Sequence, residues 1–108
     1  IIGVEPDTSA VITTGVKGPH KIQGIGAGFI PENYWSKYVD EVMTASMDDS
    51  KKYSRMVGKT EGILVGYSAG AALSVAVKIA AKPENKDKNI VVIFPDNGER
   101  YLSCDLYE

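Results

Sequence analysis

At 108 residues, 44% hydrophobic and 24% charged, the chain has the composition of one small globular domain with a modest core, which excludes disorder. Twelve basic against fourteen acidic residues give a net charge of −2, so no basic field attracts nucleic acid or an anionic membrane, and neither partner is expected. No signal peptide precedes the short apolar runs, and Cys104 has no second cysteine to pair with, so a reducing, cytoplasmic setting is expected.

The chain opens without methionine, directly in the apolar Ile1-Ile2-Gly3-Val4. That run does not alternate and predicts a short strand buried on both faces. An apolar start of this kind is expected of a fragment of a larger protein. Pro6 is placed where a first helical turn tolerates it, Asp7 to Thr14 predict a short helix with Val11 and Ile12 inward, and Gly15 ends it.

Next comes Gly18-Pro19-His20-Lys21-Ile22-Gln23-Gly24-Ile25-Gly26-Ala27-Gly28-Phe29-Ile30-Pro31, whose glycines and prolines suit neither a core strand nor a helix interior. It admits two readings. One is an empty glycine-rich turn; the other is a wall of backbone amides facing a small anionic or carbonyl-bearing substrate. A dinucleotide fingerprint is rejected, because no strand precedes the glycines and Phe29-Ile30-Pro31 opens no helix.

Over residues 32 to 40 the spacings of Tyr34, Trp35, Tyr38 and Val39 fit either one helical turn or a packed aromatic loop, and a strand is favoured over Val39 to Ala45. Asp48-Asp49-Ser50 predict a helix start with acids against the macrodipole, Tyr53, Met56 and Val57 form its inward stripe, and Gly58 marks either its end or a close contact. Ile63-Leu64-Val65, bounded by Gly62 and Gly66, reads as a short apolar strand or a buried extended segment. A long helix follows over about Gly70 to Ala81, with Ser68 at its amino end as a cap or, less simply, as part of an anion site. Lys82 to Lys88 form a solvated loop, and Asn89 to Phe94 read as the clearest strand of the chain. Strands alternating with helices predict an α/β fold with an open, mostly parallel sheet, in which ligands sit at the carboxyl ends of strands.

Pro95-Asp96-Asn97-Gly98 lies at such an end and is either a plain turn or a site in which only one of Asp96 and Asn97 can serve a ligand. His20 reads as a hydrogen-bonding loop residue, since no Ser, Cys or carboxylate accompanies it in a catalytic pattern. Cys104 reads as a small apolar residue, and no metal-ligand spacing occurs.

The glycine loop 18–31, the block Glu61-Gly62-Ile63-Leu64-Val65-Gly66-Tyr67-Ser68-Ala69-Gly70-Ala71-Ala72 and the block Ile90-Val91-Val92-Ile93-Phe94-Pro95-Asp96-Asn97-Gly98-Glu99-Arg100-Tyr101-Leu102-Ser103, in this order, resemble the cysteine synthase (O-acetylserine sulfhydrylase) family. These are pyridoxal-phosphate β-synthases of fold type II, and the resemblance is to their carboxyl-terminal third. It implies a fragment, residues 1–108, of a larger catalytic domain that binds pyridoxal 5'-phosphate and makes L-cysteine from O-acetyl-L-serine and sulfide. The family's Schiff-base lysine, phosphate cradle and carboxylate-gripping loop lie upstream, so neither Lys17 nor Lys21 is nominated for that role and the piece alone is expected to be inactive.

What the resemblance carries over is one wall of the site. Gly24, Gly26 and Ala27 are expected against the reacting amino acid, with Gln23 beside them. Asn97 is expected at the cofactor's pyridine nitrogen, where the resemblance implies a family serine; a neutral partner there leaves the ring less electron-hungry, which suits β-replacement. Implied partners are the missing amino-terminal portion, a second copy in a homodimer, and serine acetyltransferase. Sibling activities are cystathionine β-synthase, cysteine desulfhydrase and lanthionine synthase. A reading of another class is a non-catalytic binding subunit with the same fold.

Overall fold

Ile2–Pro6 forms strand β1 and Glu41–Ala45 forms β2, and the two pair in parallel, with Ile2 opposite Glu41 and Pro6 opposite Ala45. The computed structural model describes residues 1–107, and among them these two strands make the only ladder. A parallel pair requires a long crossover. Here the crossover carries a 3-10 turn at Asp7–Ser9, the single-turn helix α1 at Val11–Thr14, and the glycine loop.

The helix predicted over 7–14 is thus divided at Ala10, whose φ of −84° and ψ of 60° belong to neither part. The reason is a carboxylate. Glu5, 4% exposed, accepts hydrogen bonds from the backbone N–H of Ile12 at 2.8 Å and of Thr13 at 3.0 Å, and from the Thr13 hydroxyl. Buried polar atoms are paired in this way because an unpaired one costs about 1–3 kcal/mol. Gly15, at φ 77°, ends α1 as expected. β1 is buried only toward its carboxyl end, at Glu5 and Pro6, rather than on both faces throughout.

Helix α2 spans Met47–Glu61, capped by Ser46, whose side chain accepts from the Asp49 N–H at 3.0 Å. Asp48 and Asp49 in its first turn and Lys59 in its last complement the macrodipole. Gly58 lies inside this helix rather than at its end, with Leu64 and Tyr107 against it; the left-handed terminator is Gly62 at φ 71°. Helix α3 spans Tyr67–Ala80 and begins three residues earlier than the pattern predicts. It packs on α2 and on both strands. The core beneath joins Ile22 of the glycine loop to Tyr67, Val75, Tyr101 and Leu106, with the Tyr67 and Tyr101 rings edge to face at 5.3 Å.

Two predicted strands do not form ladders. Ile63-Leu64-Val65 contributes one antiparallel bridge, Val65 to Asn97, and residues 89–95 make no ladder. A β-branched run becomes a strand only where a neighbour supplies backbone partners, and Val91 at 86% and Ile93 at 70% exposure have none beside them. The observed fold is nonetheless α/β, a small parallel sheet flanked by helices.

The carboxyl-terminal residues are clasped to α2. Arg55 donates to the carbonyls of Leu106 at 2.5 Å and Asp105 at 2.6 Å, Lys51 pairs with the Asp105 carboxylate, and the Tyr67 hydroxyl donates to that carboxylate at 2.6 Å. The Lys51 ammonium, then the Tyr67 hydroxyl, hold the Asp105 carboxyl below its usual value of 3.8. A depressed carboxyl stabilises the fold above its unfolded value and loses that contribution as pH falls through the folded one. The clasp should therefore be unchanged near neutrality and loosen as the pH falls below the usual carboxylate value of 3.8. Amide exchange of residues 105–107 measures this, and Asp105→Asn should remove the acid step.

Candidate functional site

Three residues of the glycine loop take left-handed backbone angles at alternate positions, Gly24 at φ 95°, Gly26 at 67° and Gly28 at 83°. Side-chain-bearing residues rarely adopt such angles. Gly26 is required twice over, because a Cβ there would stand 2.5 Å from both His20 Nε2 and Pro6 Cγ. The loop's inner turn is closed by His20. Its Nδ1 accepts from the Ile22 N–H at 3.2 Å, which leaves the proton on Nε2 to donate to the Gly26 carbonyl at 2.7 Å. His20 is therefore a loop fastener, as the sequence reading held. The loop's entrance is fixed to the crossover by the Gly18 N–H on Ser9 Oγ at 3.2 Å and by Thr8 Oγ1 on the Pro19 carbonyl at 2.9 Å.

So fastened, the loop walls a cavity of about 440 Å³ over the carboxyl end of β1, with Gly24, Gly26 and Ala27 on one side and Glu5, Ser9 and Ile12 among the residues opposite. A site at the carboxyl end of a parallel strand is where this architecture puts ligands. Gln23 is exposed and stands outside the lining.

Asn97 does not meet this group. Its residue is exposed, its backbone is bridged to Val65, and the next residue donates its N–H to the Leu64 carbonyl at 2.9 Å. Of the pair at this strand end, Asp96 is the one that turns inward. Its Oδ2 accepts from the Tyr101 hydroxyl at 2.5 Å, and its Oδ1 is buried without a partner against Gly66. Burial, and then that hydrogen bond, push the Tyr101 hydroxyl above its ordinary value.

Another polar side chain that faces the glycine loop is Ser68. It is 6% exposed in the first turn of α3, and a Cβ on Gly24 would lie 3.6 Å from its Oγ. A serine at a helix start predicts a cap, but the cap position belongs to Gly66 and no side-chain cap bond forms. The available signal was its setting, a lone hydroxyl in the small-residue run Gly66-Tyr67-Ser68-Ala69-Gly70 at the end of an apolar segment.

No cluster of three metal-binding side chains occurs among the described residues. No helix among them is long and apolar enough to cross a membrane.

Residues 1–96 match the family described as pyridoxal-phosphate dependent enzyme. A cysteine synthase of Staphylococcus aureus is 46% identical over 107 residues, covering 99% of this chain and 34% of that protein. The chain thus spans about a third of the length of the curated relatives it matches. Among solved structures, a cysteine synthase of Entamoeba histolytica superposes with a TM-score of 0.96 at 54% identity, over 99% of this chain and 32% of that one. An O-acetylserine-dependent cystathionine β-synthase of Helicobacter pylori superposes at 0.85 with 42% identity, over 99% of this chain and 34% of that one.

Proposed function

The chain belongs to the pyridoxal-phosphate dependent enzymes, and on that premise we propose that it is the carboxyl-terminal third of a cysteine synthase, which makes L-cysteine from O-acetyl-L-serine and sulfide. The observation that carries this is the identity gradient, 54% and 46% to cysteine synthases against 42% to a cystathionine β-synthase, each over 99% of this chain. The enzyme works as a cytoplasmic homodimer, and serine acetyltransferase is its docking partner.

The residues present fit one flank of the cofactor. At Gly24 the absence of a Cβ opens a cradle between loop backbone and the Ser68 hydroxyl, and the loop's three left-handed glycines leave no side chain between backbone and ligand. Bound pyridoxal phosphate supplies electron withdrawal from the amino acid's α-carbon. This chain's part is geometric. Gly24, Gly26 and Ala27 hold the amino acid against the cofactor's face, Ile12 and Val11 shed water from the cavity, and Ser68 offers one neutral hydrogen bond. Hydrogen bonding by a hydroxyl leaves a ring nitrogen unprotonated, as the sequence reading required of Asn97. We assign that role to Ser68, which faces the loop at Gly24, ahead of the exposed Asn97. Gln23 stands at the rim.

Cysteine formation by the full-length protein tests the activity: O-acetylserine plus sulfide should give cysteine. Cystathionine from O-acetylserine and homocysteine, or sulfide or lanthionine from cysteine alone, would replace the proposal with the corresponding sibling activity. No turnover of any of these would indicate a binding subunit. Ser68→Ala should weaken cofactor retention about tenfold, the worth of one buried hydrogen bond, whereas Asn97→Ala should leave it unchanged. Fluorescence titration of pyridoxal phosphate into each full-length variant reads the difference, and the reverse order would return the role to Asn97.

A further inference from the structure

Asp96 carries a buried oxygen, Oδ1, with no hydrogen-bond partner, and an atom left so costs stability unless its surroundings favour its charge. What lies beside it is the amino end of α3. A Cβ on Gly66, the cap residue of that helix, would run into Asp96 Oδ1 and would stand 2.6 Å from Tyr101 Cε2. Carboxylate and phenol ring thus rest together on the Gly66 backbone, at a separation that only glycine leaves open.

Contacts on each side hold this arrangement. The turn that carries Asp96 is fixed to the segment before α3 by the bridge of Val65 to Asn97 and by the Gly98 N–H on the Leu64 carbonyl at 2.9 Å. Asp96 Oδ2 accepts from the Tyr101 hydroxyl, and the Tyr101 ring, 1% exposed, is held by the edge-to-face contact with Tyr67. From α2, Ser54 and Ser50 donate to the carbonyls of Gly66 and Tyr67. No side chain caps α3, so its first N–H groups leave a partial positive charge at that end, where an anion is favoured without a discrete hydrogen bond. That accounts for the unpaired Oδ1. Arg100 does not account for it, because its guanidinium lies 3.8 Å from Oδ2 and is mostly exposed, and a pair so solvated contributes little.

We propose that Asp96 is a positioning residue: with Tyr101 it sets the first turn of α3, and so the Ser68 hydroxyl, against the glycine loop. The proposal rests on the assignment of the ring-nitrogen hydrogen bond to Ser68. Gly66 and Ser68 lie within one helical turn, so a tilt of the helix end is carried directly to the hydroxyl that stands 3.6 Å from the Gly24 Cβ position. Hydrogen bonds weaken steeply as their angle closes, and a loosened first turn forfeits much of what Ser68 offers. Pro95, which precedes Asp96, lines the same cavity as Ser68, which puts the Asp96 turn and the hydroxyl on neighbouring walls.

Cofactor retention by the full-length protein tests this without any turnover. Fluorescence titration of pyridoxal phosphate should show Asp96→Ala about fivefold weaker than wild type, and Tyr101→Phe, which keeps the ring in the core and loses only the hydroxyl, weaker by a similar factor. Asp96→Asn should bind within about twofold of wild type, because an amide of the same shape still pairs with the Tyr101 hydroxyl. In a Ser68→Ala background, Asp96→Ala should change nothing further, since a residue that acts through Ser68 has nothing left to position. A general loss of stability would instead weaken binding in both backgrounds alike.

Wild-type affinity in Asp96→Ala and Tyr101→Phe overturns the inference, as do effects that add to that of Ser68→Ala, or an Asp96→Asn protein as weak as Asp96→Ala. If Ser68→Ala itself binds the cofactor as tightly as wild type, the ring-nitrogen assignment falls and the inference with it. If Ser68→Ala is weakened and the Asp96→Ala and Tyr101→Phe proteins are not, the inference falls alone.

Discussion

Gly70→Ala in the full-length protein is expected to lower stability by about 2–4 kcal/mol, even though alanine is the better helix former by about 1 kcal/mol. The reason lies where α2 crosses α3. Ser50 and Ser54, one turn apart on α2 and fully buried, donate to the carbonyls of Tyr67 and Gly66, the latter at 2.9 Å. The two hydroxyls thus bind α2 to the first turn of α3 at a separation that only glycine permits. A Cβ on Gly70 would be driven into the Ser50 carbonyl and Ser54 Oγ, and backbone cannot give way as a flexible side-chain tip can. Relief requires the helices to part, which strains both buried hydrogen bonds. Overpacking costs about 1–3 kcal/mol, and each weakened buried bond adds about 1 kcal/mol. Thermal and urea unfolding measure the loss; a midpoint equal to or above wild type would show that the crossing can relax. Ser54→Ala is a companion that should cost about 1–2 kcal/mol through the lost hydrogen bond to the Gly66 carbonyl.

The same crossing shows what could be read from the residues and what could not. The start of α2 was legible because Asp48 and Asp49 place their chemistry within the helix itself, whereas the cap is Ser46, two residues before the predicted start. The glycine loop was legible because its composition excludes every regular element. Gly70 was placed only as part of a small-residue helix, since the carbonyl that forbids its Cβ comes from a residue twenty positions earlier. Residues 89–94 depart from the predicted strand for a related reason. They have the composition of a parallel core strand, but a ladder is a property of two segments, and among the described residues no second segment pairs with them. The inward turn of Asp96 and the outward placement of Asn97 were likewise undecidable from alternation alone: they are set by Tyr101 and Val65, which reach the turn from opposite sides. Ser68 was undervalued because a hydroxyl at a helix start is ordinarily a cap, and only the position of Gly24 shows that it faces the loop.

Gly26→Val should reduce kcat/KM of the full-length enzyme by about a hundredfold or more, with cofactor absorbance retained. Two penalties coincide at this position. A β-branched residue at a φ of 67° carries strain of about 1–3 kcal/mol, and its Cβ would overlap His20 Nε2 and Pro6 Cγ, each 2.5 Å away. The imidazole is not free to withdraw, because its two nitrogens are engaged by Gly26 and Ile22. The loop must therefore lift from the carboxyl end of β1, and the wall formed by Gly24, Gly26 and Ala27 moves with it. A displacement of about 1 Å is enough to cost a hundredfold in rate when a site acts by positioning. Cofactor retention should survive, since the implied Schiff-base lysine and phosphate cradle lie outside these residues. Gly24→Ala is the control. Its φ of 95° is strained for alanine, but the nearest atom to the new methyl is Ser68 Oγ at an ordinary 3.6 Å, so a fall of about tenfold is expected. Steady-state kinetics with O-acetylserine and sulfide rank the two variants. Equal losses would mean that backbone strain alone governs the loop, and a Gly26→Val enzyme within tenfold of wild type would show that the His20 fastening does not hold the wall in place.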